Sequence, residues 1–166
     1  MSTVVFAHIG KHEKAVKIWQ GETLKVYRRI LGYHPFTATL LEYIATSITQ
    51  NNDSQNGNEA ISFMQESLTM RINLLGDEHF DTARARFGLG RVLSKLGRHR
   101  EALRSIDHSL ELLRKMQASK EEIENNMKKR NEIEKAIEFE ENVSIMNSDR
   151  INKCEDENVP ARIKIL

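Results

Sequence analysis

The chain predicts an all-α fold of repeated antiparallel helix hairpins, and three observations carry that prediction. Apolar residues recur at three- and four-residue spacing along most of the 166 residues, no stretch sustains the alternation of a strand, and one helix boundary is written twice. The boundary is LGDEHFDTA at residues 75–83, with a worn counterpart, LGYHPFTA, at residues 31–38. A helix that is apolar on one stripe only must stack on neighbours to bury it, so a copied boundary implies a stacked array.

The elements follow in order. EKAVKIW at 13–19 starts the second helix of a first unit whose first helix is short, as if the chain were cut from a longer array, and Trp19 joins Ala15 and Val16 on its inner stripe. Later second helices start NEAISFM and REALRSI, which aligns Ala15, Ala60 and Ala102 at spacings of 45 and 42. A small side chain at that place lets two helices cross closely. SLTM at 67 and SLEL at 109 keep the register, whereas TLKV at 23 is displaced by one residue, assigned to Gly21. A helix absorbs one extra residue as a π-bulge, so a kink is expected there.

The first full hairpin has stripes of Leu41, Ile44, Ala45 and Ile48, then Ile61, Met64, Leu68 and Leu75, across the polar loop NNDSQNGN. The next has Ala85, Leu89, Val92, Leu93 and Leu96, a break at Gly97, and then Leu103, Ile106, Leu110 and Leu113. Gly76 reverses the chain after Leu75, and Asp81 is the expected N-cap of the helix that follows. From Ser119 the composition becomes strongly charged. Ser119 and Glu122 form a capping box, and the thin stripe of Ile123, Met127, Ile133 and Ile137 predicts a long charged helix capping the array over residues 119–141, with a mobile tail over 142–166. A coiled coil is the lesser alternative, because Arg130 interrupts the stripe.

Several chemistries are disfavoured. Net charge is only +1, yet residues 1–118 carry 16 Lys/Arg against 12 Asp/Glu and residues 119–166 carry 9 against 12. The single cysteine, Cys154, cannot pair within the chain, and a reducing cytoplasmic setting is expected. No run approaches the ~20 apolar residues that span a membrane. His34 and His79 occupy equivalent places a helix layer apart, ~10 Å, too far to share an ion with ligands at ~2 Å. Each is expected instead to bond backbone carbonyls. Gly88, Gly90 and Gly97 lie in a helical stripe rather than after a strand, which assigns them to packing and not to a phosphate loop. No nucleophile, base or metal set emerges, so neither an enzyme nor a cofactor is expected.

Leu89, Gly90, Gly97, Ala102 and Leu110 match the pattern of small and large residues in the tetratricopeptide repeat, and SLTMRINLLGDEHFDTA resembles its kinesin light chain type. Phe80 departs from the proline of that type, which Pro35 keeps in the earlier copy. The resemblance covers residues 1–118 and implies a TPR-like right-handed solenoid whose first helices line a concave groove. In that register the groove-facing residues are Arg84, Phe87, Arg91, Ser94 and Lys95 in one unit and Thr39, Glu42, Thr46, Thr49 and Gln50 in the unit before it. Three cations around one aromatic suit an acidic peptide with an apolar anchor. The implied function is a noncatalytic protein-binding scaffold or adaptor. The alternatives are a regulatory repeat segment of a larger multidomain protein or enzyme and, less favoured, a nucleic-acid binder, which would need the basic strip in every unit.

Overall fold

The computed structural model of the chain describes residues 19–50 and 56–157, with side chains described over 21–50 and 56–148. Ala15, Val16, the Trp19 side chain and the end of the chain after Glu157 lie outside the described residues. A π-type turn, Trp19–Thr23, leads into α1 (Leu24–Ile30), followed by α2 (Pro35–Gln50), α3 (Gly57–Leu75), α4 (Phe80–Lys95), α5 (His99–Lys115) and α6 (Lys120–Glu157). The described residues contain no strand. The expected irregularity at the inserted residue is present: Gly21 has φ −69° and ψ −110°, outside helical geometry.

α2 pairs with α3 and α4 pairs with α5, while α3 against α4 joins the two hairpins and α6 lies along α5. Most of the stripe residues read from the sequence meet in one core, and Leu113 lies in a second cluster with Ala83 and Leu112. Leu41, Ile44, Ala45, Met64 and Ile106 are buried in the first, and both described register alanines, Ala60 and Ala102, are 0% exposed. The crossing of α4 and α5 is the closest approach at a glycine: a Cβ on Gly90 would stand 2.5 Å from Ile106 Cγ1. Gly88, which costs helix propensity without obvious return in the sequence, is explained by Met64, whose Cε would lie 2.8 Å from a Cβ there.

The copied boundary has one geometry in both units, and it corrects two expectations. The N-cap of α4 is His79, not Asp81: His79 Nδ1 accepts from the Asp81 backbone N–H at 3.1 Å, which leaves Asp81 in the first helical turn. His34 Nδ1 likewise accepts from the Phe36 N–H at 3.2 Å. Both histidines therefore serve backbone amides rather than carbonyls, because the free donors of a helix lie at its N-terminus. The chain reversals before them use left-handed glycines, Gly32 at φ 56° and Gly76 at φ 91°, and Gly97 does the same at φ 74°. The copies differ behind the cap. Thr82 donates to the Gly76 carbonyl at 2.8 Å, whereas the equivalent Thr37, fully buried, has no partner for its hydroxyl among the described residues.

α6 starts as its sequence predicts, with Ser119 Oγ accepting from the Glu122 N–H at 3.3 Å. It runs on to Glu157, well beyond residue 141. Ile133 is buried, with Ile123 and Ile137 packed partly against the core, but Met127 is exposed. Asn126 takes an inward place instead. Its Nδ2 donates to the Glu122 carbonyl at 3.0 Å, and its Oδ1 lies 3.0 Å from Ser109 Oγ, which also reaches the Ala83 carbonyl at 2.8 Å. Arg130 does not interrupt the docking but secures it, donating to Asp107 on α5 at 2.6 Å and pairing with Glu134 at 2.7 Å. Among the described residues no helix is long and apolar enough to cross a membrane.

Candidate functional site

α2 and α4 stand side by side as the first helices of consecutive hairpins, and the space between them is a groove of about 870 Å³ closed on a third side by the start of α6. Its position follows from the packing: the apolar stripes of both helices turn inward, so their remaining faces look onto the same concavity. Thr39, Glu42 and Thr46 line it from α2, and Arg84, Phe87 and Arg91 from α4. Of the residues assigned to the groove by register, Ser94 and Lys95 do not line it. They lie at the C-terminal end of α4, beyond the span the groove covers. Thr49 does not line it either; it is buried and donates to the Ala45 and Thr46 carbonyls.

Three contributions were not legible from the stripes. Arg71, on the second helix of its hairpin, reaches between α2 and α4 with only 10% of its side chain exposed. Its Nε donates to Glu42 at 2.9 Å and its Nη2 to Thr39 at 3.2 Å, and its Nη1 lies 3.9 Å from Asp81. Ser67 also donates to Glu42, at 2.9 Å. These bonds neutralise Glu42 and tie α3 to α2 at the groove floor, and the approach to Asp81 reaches the next hairpin. Phe36 and Tyr43, exposed on α2, add aromatic surface. Ser119, Glu121, Glu122 and Asn125 add a polar wall from α6. A cation about one helical turn from the end of its own helix, reaching across an interface, leaves no periodic signature.

The charges are distributed differently from the expected cationic ring around Phe87. Arg84 lies over Phe80, 5.9 Å from the ring centroid, and 3.9 Å from Glu122. Arg91 lies over Phe87, also at 5.9 Å, and meets no carboxylate within ion-pair reach among the described residues. An aromatic face orients a guanidinium without using its in-plane N–H donors. Arg91 is thus an oriented, exposed donor array on the groove face.

Residues 49–115 match the family model of the tetratricopeptide repeat. Two solved structures share the fold at a TM-score of 0.62 and 17% identity, covering 89% of this chain and 72% of theirs. They are crystal structures of a Podosopora anserina protein described as a kinesin light chain with nearly identical TPR-like repeats, and of a single-substitution variant of it. No curated protein matches the chain. Residues 49–115 carry tetratricopeptide repeats, and the fold is the helix-hairpin solenoid seen in kinesin light chain-like repeats. Repeats of this fold generally mediate protein–protein interaction.

Proposed function

We propose that the chain is a noncatalytic adaptor that holds an extended segment of a partner protein in the groove between α2 and α4, with an acidic side chain on Arg91 and an apolar one against Phe87. The observation that carries this reading is Arg91, oriented on Phe87 and unpaired among the described residues while its neighbours Arg71 and Arg84 are engaged. A guanidinium binds a carboxylate through two parallel N–H bonds, and the adjacent, partly exposed ring offers apolar surface to a neighbouring side chain. Among the described residues the lining holds no histidine, cysteine or lysine, and three of its four carboxylates, Glu42, Asp81 and Glu122, are engaged by arginines, an arrangement that suits binding. The one cysteine suits a reducing cytoplasm.

The test is the location of the bound peptide. A peptide selected from a synthetic array, titrated into isotopically labelled protein, is expected to shift the amide resonances of α2 and α4 around Thr46, Phe87 and Arg91. Shifts confined to the outer faces of α3 and α5 would overturn the reading.

A further inference from the structure

The groove is polarised along α4, and we propose that its occupant is a peptide of mixed charge. An acidic residue sits at Arg91, a basic residue about three positions along sits at the start of α6, and an apolar residue lies between them. This deepens the preceding reading and rests on it. Three arginines and four carboxylates line the groove, so it is not a basic surface. Arg71 and Glu42 satisfy each other at the floor. The remaining charges are segregated. Where α6 begins, Asp81, Glu121 and Glu122 line the same end of the groove as Arg84, which approaches Glu122, and Glu121 is exposed with no basic partner among the described residues. Two turns further along α4, Arg91 stands on Phe87 without an acidic one.

The separation sets a spacing. Arg84, which marks the acidic end through its 3.9 Å approach to Glu122, is seven helical positions from Arg91, or roughly 10 Å at 1.5 Å per residue. An extended peptide covers that distance in about three residues at ~3.3 Å each. Between the two ends the lining is Phe87, Gly88 and Met64. A side chain at position 88 would run into Met64 Cε, so glycine keeps this middle open. A wholly acidic peptide would satisfy Arg91 and then bring its next carboxylate against Glu121 and Glu122, a juxtaposition of like charges that opposes binding. A basic residue there is attracted instead.

The inference is tested with the full chain on an array of synthetic peptides about ten residues long. Each carries one Asp and one Lys at separations from one to six, in both orders, with Leu between them where the spacing allows, beside all-acidic and all-basic counterparts. Binding is expected to peak near a separation of three and to be about tenfold weaker for the all-acidic counterpart. Glu121→Lys is expected to invert that preference, and Arg91→Glu to move it toward the all-basic peptides, with helix content unchanged in both because each side chain is exposed. All-acidic peptides binding the parent as tightly as mixed ones would overturn the mixed-charge occupant while leaving the groove as the peptide site. A peptide preference indifferent to both substitutions, or no binding of any peptide at millimolar concentration, would overturn the groove reading as well.

Discussion

Gly90 on α4 and Ala102 on α5 meet with no side chain to separate them: a Cβ on Gly90 would lie 3.1 Å from the Ala102 carbonyl oxygen, as well as against Ile106. The backbone cannot yield as a flexible side chain can. Gly90→Ala is therefore expected to destabilise the fold by about 1–3 kcal/mol from overpacking, more than the ~1 kcal/mol that alanine gains over glycine in a helix. Gly88→Ala meets only the terminal methyl of Met64, which can shift more readily than backbone, and is expected to cost less than Gly90→Ala. Ala60→Leu and Ala102→Leu, both at fully buried crossings, should each cost ~1–3 kcal/mol. Thermal unfolding of the four variants checks the ranking; equal melting temperatures for Gly88→Ala and Gly90→Ala would show that the crossing is not tight.

His79→Ala removes the acceptor that caps α4 and is expected to cost about 0.5–2 kcal/mol, while His79→Asp, which also accepts from the first turn, should recover most of it. Asp81→Asn leaves the cap in place and should cost only a few tenths, from the helix dipole and the distant Arg71. Urea unfolding distinguishes the two. A larger loss at Asp81 than at His79 would return the capping role to the aspartate.

The two copies of the threonine predict opposite signs. Thr82→Val removes the donor to the Gly76 carbonyl and should destabilise by ~1 kcal/mol, whereas Thr37→Val deletes a buried hydroxyl with no partner and should leave stability unchanged or raise it. The physical reason is in the loop lengths: two residues separate Gly76 from His79 and only one separates Gly32 from His34. Equal losses in the two variants would mean that Thr37 has found a donor or acceptor.

The fold was legible because each helix carries its stripe locally. Leu41, Ile44, Ile106 and Leu113 are buried where periodicity put them, and Gly32, Gly76 and Gly97 turn where a left-handed residue is needed. The inserted Gly21 was also legible, since one residue out of register must distort a helix. Asn126 was not, because a polar residue takes an inward place only when a partner such as Ser109 waits across the interface, and that pairing spans elements. The groove was half legible. Register placed Arg84, Phe87 and Arg91 on it, but Arg71 and Glu122 arrive from other helices and change its charge.

The pair at the groove floor is asymmetric. Arg71 is the more buried partner, so Glu42→Ala, which leaves its guanidinium only Thr39 and a distant Asp81, should cost more than Glu42→Gln, which keeps an acceptor for it. The expected losses are about 2–4 and ~1 kcal/mol, discounted from a wholly buried pair because Glu42 keeps some solvent and Thr39 still accepts from Arg71. Equilibrium unfolding reads both. Equal losses would mean that Arg71 relaxes into the groove.

Calorimetric titration of a groove-binding peptide against the parent and Arg91→Glu, each at low and physiological salt, tests the central claim most directly. Arg91→Glu is expected to weaken binding by roughly 1–3 kcal/mol with unchanged helix content. Added salt should weaken the parent complex in part, since exposed charges are screened over about 8 Å, while the contact with Phe87 leaves a salt-resistant remainder. Equal affinity of parent and variant at both salt concentrations would contradict the account and move recognition away from this groove.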